Sequence, residues 1–446
     1  MTKAATAMRE TDAMAPARDE RVRVGILGCG NVGAALVQLI HDNADVLQER
    51  AGVRIEVAKV VVRDLGRDRG LPLPAATFTT DAAAVVHDPD VDIVVEVMGG
   101  IEPARTLIAD ALAAGKPVVT ANKELVATHG REVFEAAQRA GVDILFEASV
   151  GGGIPLIRPL RESLAGDRIT RVIGIVNGTT NYILTKMTDE GASFADALAE
   201  AQRLGFAEAD PTADVEGFDA AAKVAIIASI AFGAQVVASD VYREGITSLT
   251  AADIDAAADL GYVVKLLAVA EESGGEVAVR VHPAMVPARH PLAAVRDSFN
   301  AVFIEGEAVG ELMLYGRGAG GGPTASAVLG DLVDAAKNVA EGRKGATIGT
   351  LVARPIRAVD DIESQYYLEL EVADQPGVLA AIATKFGEHR VSIRSMQQRD
   401  VGDEARLIFV THIAKESDLR ATVAALENVD VVHRVGSVLR VIGSED

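Results

Sequence analysis

An acidic residue and a lysine four positions apart, Asp219 and Lys223, lead into a long apolar stretch of the sequence. On a helix this spacing places both side chains on one face, with the acid on the favourable N-terminal side. No charged residue occurs between Lys223 and Asp240, which predicts a helix that is buried on most of its sides. Burial disfavours the charged form of an amine, whereas a neighbouring carboxylate favours it. This balance suits an amine that exchanges a proton, so we predict catalytic roles for Asp219 and Lys223, with a solvated ion pair as the alternative.

Two further polar segments lie close to this pair in the sequence. Residues 205–219 (GFAEADPTADVEGFD) are rich in carboxylates, which include Glu208 and Asp214. The cluster Asn177–Asn181 follows a predicted strand and can supply amide and hydroxyl hydrogen bonds to a small polar ligand. A capped turn at the start of a helix explains the second cluster equally well.

A glycine-rich turn near the start of the chain predicts a nucleotide site. Residues 21–33 (RVRVGILGCGNVG) form an apolar strand that leads into Gly28, Gly30 and Gly33, and a helical pattern follows. In such a unit the glycines let the backbone approach a pyrophosphate, and the helix N-terminus, here Asn31 and Val32, faces the anion. The order of these elements favours dinucleotide binding over a simple tight turn.

Charged residues also follow the ends of two later strands. Arg63 and Asp64 end the strand at residues 54–62, where an acid holds a ribose 2′-hydroxyl and an arginine binds a 2′-phosphate. This pair favours NADP(H) and leaves NAD(H) possible, with a solvated loop pair as the alternative. Lys123 follows the strand at residues 117–120, at the edge where such sheets bind ligands. A surface lysine is its alternative reading.

Composition argues against several classes of function. The chain has 446 residues, 49% of them hydrophobic, which suffices for two or three globular domains. Its net charge of −21 argues against nucleic acid and anionic membranes as partners. The single cysteine, Cys29, excludes an intrachain disulfide framework and suits a reducing cytoplasm. Residues 1–20 lack the apolar core of a signal peptide, so we expect a flexible tail, and we expect no membrane span.

The order of the predicted elements gives an α/β fold in three parts. Alternating strands and helices predict a Rossmann-type, doubly wound parallel sheet at residues 21–150, to which the chain returns at about 318–355. Residues 151–317 predict an α+β substrate and dimerisation domain, and 356–364 a linker. The tail, 365–446, has the order βαββαβ of a ferredoxin-like unit. Such a unit predicts a module for binding or assembly.

Several motifs together resemble one enzyme family. They are ANKELVA (121–127), FEASVGGGIP (146–155), NGTTNYIL (177–184), the block from Gly205 to Lys223, GRGAGGGPTASA (316–327) and the turn DQPGVL (374–379). With the glycine fingerprint they make everything after residue 20 resemble a homoserine dehydrogenase with a C-terminal ACT regulatory domain. The resemblance implies reversible, NAD(P)H-dependent reduction of L-aspartate 4-semialdehyde to L-homoserine, on the route to threonine and methionine.

The resemblance also implies roles for individual residues. Lys223 would give a proton to the nascent alkoxide, Lys123 would assist beside the nicotinamide, and Asp219 would place Lys223 and the substrate. Glu208 would bind the amino group of the substrate. The other substrate residues would be Gly205, Asp214, Thr180 and Asn181, and Gly320 would join the cofactor site. Glu147, Val150, Gly152 and Ile154 match a structural sodium site, formed mainly by backbone carbonyls. Asp374, Gly377, Val378 and Leu379 match the effector turn of ACT domains.

Regulation and assembly follow from the same resemblance. It implies inhibition by an amino-acid end product, threonine being the favoured one, and a homodimer or homotetramer. Two other functions stay open: another Rossmann-type dehydrogenase of an amino-acid pathway, and a non-enzymatic ACT amino-acid sensor. The acidic block and NGTTNY argue against the first. The glycine fingerprint and both lysines argue against the second.

Overall fold

The structure is a computed structural model that describes residues 21–345, 348–401 and 404–442; the predicted tail at residues 1–20 lies outside them. It contains a sheet of six strands and a sheet of eleven, with helices packed on both. Within these ranges, no helix is both long and apolar enough to cross a membrane.

The first sheet is the predicted doubly wound one. Its strands are β1 (Arg21–Leu27), β2 (Arg54–Val61), β3 (Phe78–Thr79), β4 (Ile93–Glu96), β5 (Val118–Thr120) and β6 (Ile144–Leu145). Its helices are α1 (Asn31–Asp42), α2 (Ala44–Ala51), α3 (Ala82–His87), α4 (Ala104–Ala113) and α5 (Lys123–Ala140). All six strands run parallel in the order β3-β2-β1-β4-β5-β6. The order reverses at β1, which is the point where such sheets bind ligands.

The second sheet carries the middle and the tail of the chain. Its strands are β7 (Ile169–Ile175), β8 (Tyr242–Arg243), β9 (Tyr262–Ser273), β10 (Glu276–Pro287), β11 (Phe299–Gly306), β12 (Gly310–Arg317), β13 (Glu363–Ala373), β14 (Ile393–Val401), β15 (Glu404–Thr411), β16 (Ala414–Lys415) and β17 (Val432–Val441). Nine of them follow the path β12-β11-β7-β9-β10-β17-β13-β15-β14. The two short strands join from the side, β8 on β10 and β16 on β13.

The helices of the middle part pack on this sheet and on one another. They are α6 (Gly178–Glu190), α7 (Phe194–Arg203), α8 (Thr212–Val215), α9 (Phe218–Phe232) and α10 (Ala251–Asp259). Helix α9 confirms the prediction of a buried helix, since every residue from Lys223 to Ser229 is buried. The apolar sequence after Lys223 therefore packs against β7, β9 and β10 and fixes the helix that carries Asp219 and Lys223.

One long helix, α11 (Gly321–Glu341), returns the chain to the first sheet. Its buried side chains, among them Val328, Leu332 and Ala335, share a core with residues of β1 and α1. The helix begins beside the start of α1, because a Cβ atom on Gly321 would lie 3.0 Å from the carbonyl oxygen of Asn31. The N-termini of two helices thus meet at the glycine-rich turn.

The tail has the predicted βαββαβ order, with α12 (Val378–Glu388), α13 (Glu416–Leu426) and the strand order β17-β13-β15-β14. The sequence pattern changes near residue 365, but the sheet does not end there. Strand β17 pairs in parallel with β10, at Ala284 with Arg440 and at Met285 with Val441. Tyr367 and Leu439 belong to the same apolar core as the middle of the chain. The tail is therefore joined to the middle part by hydrogen bonds and by a common core.

Candidate active site

One carboxylate, Asp219, links two lysines that lie far apart in the sequence. Asp219 is in the first turn of α9 and Lys223 lies one turn later, with 2.7 Å between Lys223 Nζ and Asp219 Oδ2. Lys123 is the first residue of α5, directly after β5, and its Nζ donates to Asp219 Oδ1. The three residues that sequence analysis proposed as catalytic are thus brought into direct contact. We name this group the lysine–carboxylate cluster.

The charges of this cluster follow from burial and pairing. Burial raises the pKa of Asp219, but the ammonium groups of Lys223 and Lys123 outweigh it, so the pKa of this carboxyl lies below its ordinary value. Burial lowers the pKa of Lys123, but Asp219 raises it, and the net shift is upward. Asp219 is therefore a carboxylate and Lys123 an ammonium at neutral pH.

Lys223 has one donor to spare. Its Nζ donates to Asp219 Oδ2 and, at 2.7 Å, to the backbone carbonyl of Val176. An ammonium group has three N–H donors, and the part of the chain that the structure describes supplies these two acceptors. The third donor is available to a ligand oxygen. Such an arrangement stabilises and protonates an oxygen on which negative charge develops.

Asn177 connects the cluster to the acidic segment. It caps α6, because its Oδ1 accepts from the backbone N–H of Thr180 at 2.9 Å. Its Nδ2 donates to Asp219 Oδ2 at 2.9 Å and to Asp214 Oδ1 at 2.6 Å. Burial raises the pKa of Asp214, against the hydrogen bond from Asn177. The sequence indicates hydrogen bonds from the polar cluster as a whole but not this link between two acids. The available signal is the place of Asn177 at an N-cap directly after a buried strand.

Two residues predicted to contact substrate have side chains that are engaged elsewhere. Thr180 Oγ1 donates to Asn177 Oδ1 at 2.9 Å, within the cap. Asn181 Nδ2 donates to the backbone carbonyls of Val295, Asp297 and Phe299, at 3.3, 2.9 and 3.2 Å. Both side chains are almost fully buried. In this structure Thr180 fixes the start of α6 and Asn181 fixes the loop at residues 295–299, and their predicted contact with substrate stays a prediction.

Glu208 and Gly205 lie in the exposed loop between α7 and α8. Gly205 has φ +78° in the turn after α7, a conformation that favours glycine. Among the described residues, no hydrogen bond or ion pair joins the carboxylate of Glu208 to the lysine–carboxylate cluster. Glu208 is therefore a carboxylate that a cationic ligand group can reach.

The glycine-rich turn is shaped for close approach of a ligand. Gly28 has φ +105°, and a Cβ atom there would lie 2.9 Å from the carbonyl oxygen of Val97. A Cβ atom on Gly33 would collide with the carbonyl oxygen of Gly28. Gly30 and Gly320 stand at the N-caps of α1 and α11, and neither helix start has a side-chain cap. The free N–H groups of two helices, including those near Asn31 and Val32, fit the pyrophosphate of a dinucleotide.

The loop after β2 carries three arginines near this turn. Arg63 and Arg67 are exposed, and no ion pair links Arg63, Arg67 or Arg69 to an acid within the described residues. Burial raises the pKa of the Cys29 thiol, and the charges of Arg69 and Arg67 oppose that shift. Asp64 Oδ1 accepts from the N–H of Gly66 at 2.8 Å. The strand pattern predicts Arg63 alone, whereas all three arginines share one short loop.

The turn at residues 147–154 exposes backbone oxygens inside the protein. The Glu147 side chain is satisfied by the N–H groups of residues 156–158, at 2.5 to 2.8 Å. Val150 and Ile154 are buried, and Gly152 has φ +56°. No backbone N–H of the described residues pairs with the carbonyls of Val150, Gly152 or Ile154. Buried carbonyls without donors fit a hard cation such as Na⁺, and the Glu147 carboxylate is committed elsewhere.

The predicted effector turn lies at the start of α12. Gly377 has φ +91° and stands at the N-cap, and Leu379 is 43% exposed. Val378 points into the core of the tail. Asp374 directly follows β13, in an exposed turn. The turn therefore offers a ligand the backbone N–H groups at the N-terminus of α12 and one exposed apolar side chain.

A dinucleotide-binding sheet next to a lysine–carboxylate cluster defines an NAD(P)-dependent dehydrogenase, here with a ferredoxin-like module. Comparison with family models gives "Homoserine dehydrogenase, NAD binding domain" at residues 28–147, "Homoserine dehydrogenase" at 155–333 and "ACT domain" at 366–431. Together the three models match most of the chain. The chain belongs to the homoserine dehydrogenase family and is an NAD(P)-dependent oxidoreductase.

Relatives from several bacteria are similar over nearly the whole chain. The homoserine dehydrogenase of Mycobacterium tuberculosis (strain ATCC 25618 / H37Rv) is 51% identical over 440 residues, covering 96% of this chain and 99% of the relative. That of Corynebacterium glutamicum is 51% identical, covering 94% and 95%. The crystal structure of a homoserine dehydrogenase from Thiobacillus denitrificans is 43% identical, with a TM-score of 0.89 and coverage of 94% and 98%.

A shorter solved structure is also similar. A hyperthermophilic archaeal homoserine dehydrogenase mutant in complex with NADPH is 30% identical, with a TM-score of 0.61. It covers 71% of this chain, while 97% of that chain is covered.

Proposed function

We propose that this protein catalyses the reversible reduction of L-aspartate 4-semialdehyde to L-homoserine, in the synthesis of threonine and methionine. The observation that carries the proposal is the lysine–carboxylate cluster. It lies at the carboxyl edge of the dinucleotide-binding sheet, since Lys123 directly follows β5. An aldehyde held there would have two ammonium groups beside its oxygen.

The reaction needs a proton at the oxygen of the aldehyde. When bound, the reduced nicotinamide supplies the hydride. Reduction develops negative charge on the oxygen. The spare N–H of Lys223 stabilises this charge by a hydrogen bond and then gives its proton to the alkoxide. Asp219 keeps both lysines in place, and Lys123 orients the carbonyl and can return a proton. In the reverse direction, the neutral amine of Lys223 accepts the proton of the alcohol.

The acidic segment suits the amino group of the substrate. L-Aspartate semialdehyde carries an ammonium group, and charge-assisted hydrogen bonds to a carboxylate hold such a group firmly. Glu208 is exposed in the loop after α7, whereas Asp214 is engaged by Asn177. We therefore assign the ammonium contact to Glu208 and a supporting role to Asp214, with Gly205, Thr180 and Asn181 shaping the backbone around the substrate.

NADP(H) is the favoured cofactor. Arg63, Arg67 and Arg69 offer a cationic loop at the end of β2, and the carboxylate of Asp64 is used by its own loop. A 2′-phosphate would find cations there, whereas a ribose 2′-hydroxyl would have to compete for Asp64. NAD(H) is the second cofactor that we expect to be accepted, at lower efficiency.

A structural Na⁺ ion is proposed at residues 147–154. The ligands would be the backbone carbonyls of Val150, Gly152 and Ile154. The carbonyl of Glu147, which accepts a long hydrogen bond of 3.4 Å from the N–H of Val150, would be the fourth, because the carboxylate of Glu147 is already hydrogen-bonded. The ion would stiffen the turn that connects the two sheets. Its role is structural and no step of the reaction depends on it.

Threonine is the effector that we propose for the ACT module, bound at Asp374, Gly377, Val378 and Leu379. The support is the exposed N-cap of α12 at Gly377 and the match to the ACT family model. We also propose a homodimer or homotetramer. Part of the outer strand β12 is open, with Tyr315 53% and Met313 39% exposed, and such side chains suit contact with a second copy.

The test is the oxidation of NADPH or NADH with L-aspartate semialdehyde, with and without added threonine. We expect turnover with both cofactors, a higher kcat/KM with NADPH, and inhibition by threonine that Asp374→Ala weakens at least tenfold. Turnover without inhibition would contradict the effector alone. No turnover with either cofactor would contradict the proposed reaction.

A further inference from the structure

We propose that Arg440, on β17, the last strand of the tail, is a positioning residue for Asp219. The proposal rests on the reaction proposed above, because its readout is turnover. Arg440 is 4% exposed. Its guanidinium binds one carboxylate from the middle part of the chain and one from the tail. It donates to Glu244, next to β8, at 2.9 and 3.0 Å, and to Glu416, at the start of α13, at 2.7 and 3.0 Å.

Glu244 is held in one place by several partners. Its backbone N–H donates to the carbonyl of Val281 on β10 at 2.8 Å, and Tyr242 Oη donates to its Oε1 at 2.5 Å. Burial raises the pKa of Glu244, but the hydrogen bonds and charge of Arg440 outweigh it and lower the pKa. Glu244 is thus an ionised carboxylate, 34% exposed at its side chain, and the bidentate guanidinium of Arg440 holds it in one orientation.

The residues after Glu244 touch the turn that begins α9. A Cβ atom on Gly245 would lie 2.5 Å from the carbonyl oxygen of Val215, so the two backbones are in contact. The N–H of Ile246 donates to that same carbonyl at 2.9 Å. Thr247 Oγ1 donates to Glu216 Oε1 at 2.8 Å. The segment 244–247 therefore supports residues 215–217, the last residues before α9.

Asp219 lies in the first turn of the helix that this turn starts. Gly217, with φ +79°, is the N-cap of α9 and lies against Val281, the residue that also binds the backbone of Glu244. The guanidinium of Arg243 lies 3.6 Å from the ring centre of Phe218. A continuous set of contacts thus runs from Arg440 through Glu244 and Gly245 to the start of α9. A displacement of Glu244 would move Asp219 relative to Lys123, which lies at the start of α5 beside the six-stranded sheet.

The test compares Glu244→Gln, Arg440→Lys and Gly245→Ala with the parent full-length chain. Glutamine keeps the shape of Glu244 without its charge, and lysine keeps the charge of Arg440 without its bidentate geometry. A Cβ atom on Gly245 pushes residues 244–247 away from the turn at residues 215–217. Gly387→Ala is the matched control, because a Cβ there meets nothing within 4 Å. Reaction rates are normalised to folded protein by the nucleotide-binding stoichiometry of each variant.

We expect kcat to fall about fivefold to twentyfold in all three variants, with KM for NADPH within twofold of the parent and the control unchanged. The double variant Glu244→Gln/Gly245→Ala should lose no more than the worse single variant, since both act along one set of contacts. A lower unfolding midpoint with an unchanged kcat would show a purely structural role and overturn the proposal, as would multiplicative losses in the double variant. An inactive parent would instead contradict the proposed reaction.

Discussion

Lys223 and Lys265 are both buried lysines of the middle domain, with exposures of 8% and 1%, but their partners differ. Lys223 contacts the carboxylate of Asp219 and a backbone carbonyl. Lys265, on β9, donates to neutral oxygens, Asn181 Oδ1 at 2.9 Å and the carbonyl of Val295 at 2.5 Å. Burial, with a smaller contribution from the charge of Arg296, lowers the pKa of Lys265 to about 7.

The comparison shows how one carboxylate changes the use of a buried amine. At Lys265 the cost of burying a charge lowers the pKa until the amine loses its charge near neutral pH. Its side chain, with that of Asn181, holds the loop at residues 295–299. At the lysine–carboxylate cluster, Asp219 offsets that cost. The first site supports structure and the second is ready for proton transfer.

The largest effect is expected from removing the amine of the cluster. Lys223→Ala should lower kcat about 10³-fold, because general acid catalysis at a reacting oxygen is lost. Steady-state kinetics and an NADPH titration by fluorescence measure this, and nucleotide affinity should stay close to that of the parent. Lys385→Ala, a surface lysine on α12, is the control. A Lys223→Ala variant with near-normal kcat would show that another group donates the proton.

A smaller effect is expected from removing the carboxylate while keeping both lysines. Asp219→Asn should lower kcat about 10²-fold, since the amide holds the lysines less firmly and no longer compensates two ammonium groups. The acid limb of the kcat profile against pH should also move. If Asp219→Asn matched the parent in kcat at every pH, the cluster would not depend on this charge.

A still smaller effect on kcat is expected from Asn177, which links the start of α6 to the lysine–carboxylate cluster. Asn177→Ala removes a helix cap, worth about 1 kcal/mol of stability, and the amide hydrogen bond to Asp219. We expect a roughly tenfold lower kcat and a lower unfolding midpoint. Asn177→Asp, which keeps the cap but places a third carboxylate beside Asp214 and Asp219, should lose activity while recovering part of the cap stability. Equal kcat in the alanine variant and the parent would exclude a role in the reaction.

The smallest effect on activity is expected at Lys265, where the readout is stability. Because the folded pKa is about 7 and the unfolded one about 10.4, the unfolded chain binds more protons between these values. Stability therefore rises with pH from about 7 upwards, by at most about 1.4 kcal/mol per pH unit.

Lys265→Met should abolish this slope. The groups that face Lys265 are Arg296, which lowers its pKa, and Asp189 and Asp297, which raise it. Urea unfolding at pH 7, 8 and 9 compares the variant with the parent, and Lys385→Met serves as the control. A stability difference between variant and parent that is the same at all three pH values would contradict a neutral Lys265.

The sequence predicted those parts of the site that depend on local spacing. Asp219 and Lys223 share a helical face because they are four residues apart, and the glycine fingerprint follows from strand–turn–helix order. The contact between Lys123 and Asp219 joins residues 96 positions apart, and no local pattern contains such information. For Asn181, type and position suggested a ligand contact, but its amide is used by three carbonyls of a loop more than 100 residues away.

The sequence predicted most of the helices and strands, but it predicted only part of how they pack and pair. The parallel sheet and the βαββαβ tail follow from strand and helix patterns. The pairing of β17 with β10 does not, because two residue pairs decide it and the tail sequence alone is that of a complete module. Arg440 lies in an apolar strand sequence, VLRVI (438–442), and no local pattern links it to Glu244, which is 196 positions away.

The pairing of β10 has a consequence for how copies of the chain behave in crowded solution. The outer edge of β10 is covered by β8 at Arg280 and Val281 and by β17 at Ala284 and Met285. An uncovered sheet edge presents N–H and C=O groups that invite pairing with a strand of another molecule. By covering the second half of that edge, the final strand also guards the protein against aggregation through its own catalytic sheet.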